Sequence, residues 1–453
     1  METIAQRLAS FGHALALNKL PPEVIAAAKR CIVDVTDAAL AGATHETVTR
    51  VRGLPSMQSP GNASLIGVQG ATREPAVAAL CNAVAAHVYD YDDTCYDGIV
   101  HGSAAVWPAV LACAQATGAN GATLLEAFIA GVETEYVVGR AMSERAYFGG
   151  WWTSALLGAI GAAAGAAKAL KLDRQATCNA IALATAQGAG MRVMFGTAAK
   201  PYGLGRAAQL GVEAAYFAQA GLDAPADVFE SARGFNNVVG SEFDESRFRP
   251  GQKFSLVDPG IAFKLYPACS ATQAATETVL ELMQMHRLKA TDVAAVDCEV
   301  TPLVDISLVD PEPRTTPEAQ FSMNYAIACA LRYGDFGIKR LMAPCYDADA
   351  TIELMRKVRM IRCETLEATD EGRKLNPEGA RVTLRMKDGR DFSSYNAAAT
   401  GMPHKPMPDD ALDQKFMRCA AVSLNAETAS KLLDRLRTLE RCADVSQLPD
   451  GGD

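Results

Sequence analysis

A helix that is packed on all sides is predicted most clearly by residues 154–170, which have the sequence SALLGAIGAAAGAAKAL. Gly158, Gly161 and Gly165 are spaced three and four residues apart, so in a helix they share one face. Glycine weakens a helix, and a stripe of glycines therefore indicates that another helix approaches this face closely. The apolar run over 154–167 is shorter than the roughly 20 residues that a membrane span requires, so we expect no membrane segment.

The first 265 residues have the same helical character, because segments rich in Ala and Leu end near Gly, Asn, Asp or Pro. Pro22 and Pro75 each stand at the start of a predicted helix, where the missing backbone N–H costs nothing. We predict helices over 22–37, 75–89, 104–115, 124–141, 154–170 and 174–186. The pattern indicates a tightly packed helical bundle.

The sequence pattern changes after about residue 263. Alternating segments predict strands at 293–301 and 358–364 and a hairpin over 380–395 that turns at Asp388-Gly389. Predicted helices at 319–333 and 352–357 lie between them, and helices return at 409–420 and 426–442. We therefore predict a mainly α fold with an α+β insertion. Its large helical-bundle domain would comprise residues 1–263 and 402–453, and its smaller α+β domain residues 264–401.

Composition narrows the class of protein. A net charge of -9 makes nucleic acid an improbable partner, because an acidic surface repels phosphates. The 12 cysteines contain no C-x-x-C pair, which argues against a zinc or thioredoxin-like site and favours a reducing compartment. Residues 1–14 lack a basic segment followed by an apolar one, so we expect no signal peptide and a cytoplasmic protein. The P-loop, dinucleotide-binding and G-x-S-x-G signatures are also absent from the sequence.

Ionisable side chains are concentrated in His87-Val-Tyr-Asp90-Tyr-Asp92-Asp93-Thr94, which is followed by His101. Three carboxylates in four residues repel one another, and a nearby histidine can share or exchange a proton with them. The segment follows an apolar helix, and His101 stands just before the next one. A divalent-metal site and a solvated acidic loop are the alternatives.

Two lysines stand in contexts that suggest a site. Lys200 follows the Gly/Ala-rich run 188–199, and Lys264 lies at the predicted domain boundary beside Phe263 and Tyr266. A lysine ammonium can hold a substrate carboxylate. Either lysine could equally be a surface residue, which is the commoner position for this side chain.

Short motifs along nearly the whole chain share their order and spacing with a known family. The motifs are Asp34-x-x-Asp37-Ala-Ala-Leu-Ala-Gly42, Asp90-Tyr-Asp92-Asp93-Thr94 with His101, Gly131-Val-Glu133 leading to Arg140, Lys200-Pro201, Lys264-x-Tyr266-Pro267-x-Cys269, Ala319-Gln-Phe321-Ser322-x-x-Tyr325 and a C-terminal helix near Lys415. In this order they resemble the MmgE/PrpD family, which includes 2-methylcitrate dehydratase, cis-aconitate decarboxylase and iminodisuccinate epimerase.

This resemblance implies a helical domain formed by both chain ends, a smaller α+β domain, an active site between the two, a homodimer and no cofactor. No two of the six histidines have metal-ligand spacing, so we also expect no metal ligands. The side chains that the resemblance assigns to catalysis are His101, Asp92, Lys200 and Tyr325. It also places Lys264 in the site, and we predict that Lys264, Asp93, Trp152 and Cys269 bind substrate.

The chain departs from the family pattern at three positions. Trp152, Gly203 and Gln273 stand where the resemblance predicts histidines. None of these side chains can exchange a proton as imidazole does. An altered substrate or a lost activity would follow, with His101 as the main imidazole left.

The sequence therefore predicts a cofactor-independent lyase, a dehydratase or decarboxylase, that moves a proton next to a carboxylate of a small di- or tricarboxylate. His101 is the predicted proton-transfer residue, with Asp92 as its partner and with Lys200 and Lys264 on the substrate carboxylates. An epimerase or isomerase of a similar substrate is the first alternative, because it needs no acid for a leaving group. A non-catalytic homologue that kept the fold is the second.

Overall fold

Helices make up most of the chain in the computed structural model, which describes residues 2–142, 144–366, 372, 376–446 and 448. The helices before residue 265 are Ile4–Ala14, Pro22–Gly42, Glu46–Arg52, Pro75–His87, Gly102–Ala116, Gly121–Ala141, Arg145–Phe148, Thr153–Ala169, Arg174–Thr185, Ala199–Gln219 and Phe235–Val238. Among the described residues of this part, two short strands, Ala63–Ser64 and Thr72–Arg73, form a two-stranded antiparallel sheet. The predicted helical character is confirmed.

The helix Thr153–Ala169 lies in the middle of the bundle and packs against Gly102–Ala116, Gly121–Ala141 and Ala199–Gln219. A Cβ atom on Gly161 would lie 2.9 Å from the carbonyl oxygen of Gly131, closer than real side chains pack. The close helix approach predicted from the glycine stripe is confirmed. Among the described residues, no helix combines the length and apolar character needed to cross a membrane.

The α+β part contains a four-stranded sheet with the order Val358–Arg362, Val293–Val300, Ala380–Met386, Asp391–Asn396. The first two strands are parallel, with Val296 opposite Val358, and the other pairs are antiparallel. The predicted hairpin is present, and Gly389 in its turn has a φ of 85°, which glycine tolerates. The helices of this part are Gln273–Met285, Pro302–Ser307, Thr316–Ala319, Met323–Tyr333, Lys339–Met342 and Asp349–Met355.

The prediction of a single helix over 319–333 is wrong in one respect, because one helix ends at Ala319 and the next begins at Met323. Ser322 is the N-cap of the second helix, and its hydroxyl accepts a hydrogen bond of 3.1 Å from the backbone N–H of Tyr325. This contact satisfies a donor that a helix start leaves free, so the serine stabilises a new start rather than a continuation.

The two ends of the chain come together in the helical part. The C-terminal helices Asp409–Ala420 and Ala426–Arg437 pack on Pro22–Gly42, and the buried Lys415 ammonium lies 2.5 Å from the Asp34 carboxylate. This confirms a mainly α fold that is built from both chain ends and carries an α+β part. The boundaries at 263/264 and 401/402 remain predictions, and residues 447 and 449–453 of the last segment lie outside the described part.

Candidate active site

The site is built where the helix Pro75–His87 ends and the helix Gly102–Ala116 begins. Asp90 turns the chain with a φ of 51°, a left-handed conformation that Asp and Asn tolerate better than most residues. His101 is the N-cap residue of the second helix, and its backbone N–H donates to the Ser154 hydroxyl at 3.1 Å. The two helices therefore bring the predicted carboxylates and both histidines into one cluster.

His87 lies at the buried centre of this cluster. Its Nδ1 lies 2.8 and 2.9 Å from the two carboxylate oxygens of Asp92, and the Lys200 ammonium lies 2.7 Å from its Nε2. Since an ammonium can only donate, Nε2 accepts and Nδ1 carries the proton. Burial lowers the pKa of His87 to about 4, with the Lys200 charge acting in the same direction and Asp92 opposing it. His87 is therefore neutral and joins Asp92 to Lys200.

His101 is held by the backbone of the same loop. Its Nδ1 lies 2.8 Å from the carbonyl oxygen of Asp93 and 3.3 Å from Asp92 Oδ2, both of which can only accept. The proton is thus on Nδ1, and Nε2 is left as the reactive nitrogen, 3.7 Å from Asp90 Oδ1. The side chain is 13% exposed, whereas that of His87 is fully buried. Of the two imidazoles, His101 is the one that reaches the cavity.

The negative charge of the Asp90 carboxylate is balanced by two lysine ammonium groups. Its Oδ1 accepts from Lys200 at 2.9 Å and from Lys264 at 3.1 Å, and Lys264 also donates to the Asp90 carbonyl at 2.6 Å. Burial alone would raise the pKa of Asp90, but the two ammonium groups hold it below its ordinary value. Burial alone would also raise the pKa of Asp92, but its contacts with His87 and His101 hold it well below its usual range. Both carboxylates are therefore ionised.

A small cavity lies between the helical part and the α+β part, with residues of both in its walls. The indole of Trp152 stacks on His87 at 5.5 Å between ring centroids, and the Lys200 ammonium lies 5.1–5.3 Å from the rings of Trp152, Phe195 and Phe321. Aromatic faces attract a cation, so they fix the position of the ammonium. The cavity combines a held imidazole and a held cation with apolar walls.

The structure brings six of the eight predicted site residues together. His101, Lys200, Trp152 and Cys269 line the cavity, and Asp92 and Lys264 lie directly behind His101 and Asp90. The predicted contact of Lys264 with substrate has no support here, because this side chain is buried and directed at Asp90.

Two predicted residues lie outside the cavity. The carboxylate of Asp93 is buried in the opposite direction and accepts from the Ser103 hydroxyl at 2.5 Å, so Asp93 faces the site through its backbone carbonyl. Burial, with the nearby Asp34, raises the pKa of Asp93 to about 8. The hydroxyl of Tyr325 donates to the carbonyl of Arg340 at 2.7 Å in the α+β part, which corrects its expected place in the site.

Three carboxyl or imidazole groups of the site were not among the predicted residues. His87 and Asp90 stand in the quoted acidic segment, where their positions beside Asp92 were the available signal. Glu378, which lines the cavity from the α+β part, stands in no motif that could have indicated it.

The four side chains of His87, Asp90, Asp92 and His101 also offer ligand atoms within 4.8 Å of one another, close enough to surround a metal ion. Lys200 and Lys264 already donate to Asp90, and Lys200 to His87. A metal would have to displace these ammonium groups, so the donor set fits internal ion pairs better than a metal. The predicted absence of a metal stays a prediction.

Comparison with known proteins places the chain in a family. Residues 6–247 match the MmgE/PrpD N-terminal domain, and residues 266–441 match the MmgE/PrpD C-terminal domain. The chain is 27% identical over 460 residues to a cis-aconitate decarboxylase of Homo sapiens, with 99% of this chain and 94% of the relative covered. It is 25% identical over 471 residues to that of Mus musculus, with 100% and 94% covered. A cis-aconitate decarboxylase of Aspergillus terreus is 23% identical over 474 residues, with 98% and 95% covered.

The relatives are named as decarboxylases, which are lyases, and the predicted enzyme class is confirmed at that level. The two domain matches follow each other along almost the whole chain. The chain belongs to the MmgE/PrpD family.

Proposed function

We propose that this enzyme is a cofactor-independent lyase that acts on a small di- or tricarboxylate through proton transfer by His101. The observation that carries the proposal is the contact between His101 Nδ1 and the Asp93 carbonyl oxygen, from which the tautomer follows. The Nδ1 proton is directed at the Asp93 carbonyl at 2.8 Å, so Nε2 is available at the cavity. An imidazole held in this way can take a proton from a carbon next to a carboxylate or return one to it.

Lys200 is proposed to hold a substrate carboxylate. An ammonium has three donors, and in the described part of the chain two of them are directed at His87 Nε2 and Asp90 Oδ1. One donor therefore remains for a ligand in the cavity that Lys200 lines. The positive charge would stabilise the electron pair that builds up on the substrate carboxylate when a neighbouring C–H or C–C bond breaks.

Lys264 and Asp92 are proposed to act through other groups. Lys264 donates to both the side chain and the carbonyl of Asp90, which holds this residue in its left-handed conformation. Asp92 lies between the two imidazoles and stabilises the charge that His101 carries once it has taken a proton. These contacts support a site organised for proton transfer rather than a homologue that has lost its chemistry.

An epimerase is the second candidate, and the observation in its favour is the indole of Trp152 where the family resemblance predicts a histidine. An epimerase exchanges a carbon-bound proton, and its product is a stereoisomer of the substrate, so product analysis separates it from a lyase.

We further propose that the protein is cytoplasmic and that it forms a homodimer. Light scattering of the purified chain can test the dimer.

The experiment is a panel of aconitate-, citrate- and aspartate-like acids incubated with the metal-free, dialysed enzyme in D₂O. Proton NMR would follow deuterium incorporation, loss of CO₂ and loss or gain of water in the same samples. A lyase forms a new acid on at least one substrate, and added chelator leaves its rate unchanged. Deuterium exchange or inversion without a new acid would favour the epimerase, and an inert panel would contradict both candidates.

A further inference from the structure

Glu378 is a buried carboxyl group that reaches the cavity from the α+β part. It stands just before the strand Ala380–Met386 and lines the cavity together with His101, Lys200 and Trp152. Only 7% of the residue is exposed. The sequence separates Glu378 from the acidic segment by more than 280 residues, and the fold places it at the same cavity.

Two hydroxyl groups fix the orientation of this carboxyl. The Tyr96 hydroxyl lies 2.6 Å from Oε2, and the Ser270 hydroxyl lies 2.7 Å from Oε1. Burial raises the pKa of Glu378 above its ordinary value, although the Tyr96 and Ser270 hydroxyls and the Lys264 charge oppose this rise. A carboxyl in such surroundings can hold a proton at a higher pH than an exposed glutamate does.

The proposed lyase chemistry leaves a place for a second proton-transfer group. Among the described residues that line the cavity, His101 supplies the single imidazole, and Trp152 contributes an indole without a basic nitrogen. Loss of a hydroxyl group next to the reacting carbon needs a base for the C–H proton and an acid for the leaving oxygen. His101 and Glu378 lie on the helical and α+β sides of one cavity, which suits this division.

We propose that Glu378 is the acid that protonates the leaving hydroxyl when this site removes water from a β-hydroxy di- or tricarboxylate. The inference rests on the proposed lyase function. His101 Nε2 takes the proton from the carbon next to the carboxylate, and the C–H electron pair becomes the C=C bond. The C–O bond breaks, its electron pair stays on oxygen, and Glu378 gives that oxygen its proton. Water leaves, and proton exchange with solvent restores His101 and Glu378.

The test compares the wild-type chain with Glu378→Gln on two substrates. One is a β-hydroxy acid that the panel shows to lose water, and the other is its β-chloro analogue, whose chloride leaves without a proton. We expect the variant to lose water from the hydroxy acid about 10²–10⁴-fold more slowly. It should release chloride from the analogue at nearly the wild-type rate, which a merely structural residue would not permit.

Two matched variants serve as controls. Ser270→Ala removes one hydrogen bond and keeps the acid, so we expect a loss of about tenfold or less. Glu277→Gln changes another buried glutamate, which accepts hydrogen bonds from Thr400, Asn396 and Lys405 away from the cavity, and we expect unchanged turnover.

The inference is overturned if Glu378→Gln dehydrates the hydroxy acid at the wild-type rate, or if it loses both reactions equally. It is also overturned if the wild-type enzyme decarboxylates its substrates and never removes water, in which case the proposed lyase function stands. A wild-type enzyme that is inert on the whole panel removes the proposed function and this inference with it.

Discussion

The indole of Trp152 stacks on the imidazole of His87, with 5.5 Å between ring centroids and an angle of 25° between the planes. The same indole lies 5.3 Å from the Lys200 ammonium. One side chain thus covers the neutral histidine and helps to fix the cation that is proposed to bind substrate. Trp152 is fully buried, so its size as well as its chemistry shapes the site.

Replacing Trp152 by Ala should destabilise the protein and disturb the position of Lys200. Truncation of a buried Trp costs about 3–5 kcal/mol, because the apolar contacts are lost and a cavity remains. Trp152→Phe keeps an aromatic ring beside His87 and Lys200 and should lose clearly less. Urea unfolding of both variants measures the free energies, and equal stability of Trp152→Ala and wild type would show that the indole is not packed as described.

Replacing Asp93 by Asn should change how stability depends on pH. The pKa of Asp93 is raised to about 8 by burial and by Asp34, whereas an unfolded aspartate titrates near 4. Between these values the folded state keeps a proton that the unfolded state releases, so stability falls as pH rises. Each pH unit in this window costs the fold up to about 1.4 kcal/mol, and above the folded pKa the fall levels off.

Asp93→Asn should therefore gain stability relative to wild type as pH rises from 5 to 8, as measured by unfolding at each pH. Asp223→Asn, at an exposed position, is the control and should run parallel to wild type. If the stability difference between Asp93→Asn and wild type stays constant over this range, Asp93 is not the titrating group.

Replacing Lys415 by Met should destabilise the packing of the C-terminal helices on the bundle. Lys415 is completely buried, donates to Asp34 at 2.5 Å and to the Tyr91 carbonyl at 2.8 Å, and lies 3.7 Å from Asp37. Removing one partner of a buried pair leaves an uncompensated carboxylate, at a cost of about 3–5 kcal/mol. Burial alone would lower the pKa of Lys415, but Asp34 and Asp37 raise it, so the lysine stays charged at neutral pH, and burial raises the pKa of both aspartates.

The matched control is Lys431→Met, because Lys431 is half-exposed and pairs with Glu427 at the surface. An exposed pair contributes about 1 kcal/mol or less. Denaturant midpoints of the two variants should differ clearly, with Lys415→Met lower. Similar midpoints for both variants would mean that the buried lysine does not fasten the chain ends together.

Much of the fold could be predicted from local sequence because its helices follow local rules. The helix predicted over 124–141 is present as Gly121–Ala141, since Asn120 caps its start and its residues favour a helix. The break before Met323 depends on one serine that accepts a hydrogen bond, which periodicity alone does not reveal. The hairpin turn was predictable from local sequence as well, because Gly389 takes the positive φ that the turn requires.

The candidate site was predictable where its residues are neighbours in sequence. Asp90, Asp92 and His101 stand within 12 residues, so their clustering follows from two helix ends. The direction of a side chain depends on how each element is rotated against its neighbours, and for this reason Tyr325 and Asp93 point away from the cavity. Glu378 is distant in sequence from the other site residues and belongs to the α+β part, so only the tertiary fold shows that it lines the cavity.

Replacing His101 by Gln tests the proposed proton transfer most directly. Gln keeps a similar size and hydrogen-bonding capacity but has no titratable nitrogen. The measurement is the rate of deuterium incorporation from D₂O into the product or recovered substrate of the most active acid in the panel, followed by NMR. Circular dichroism confirms that the variant is folded. We predict a rate about 10²–10⁴-fold below wild type. Incorporation by folded His101→Gln at the wild-type rate would contradict the account and show that another group moves the proton.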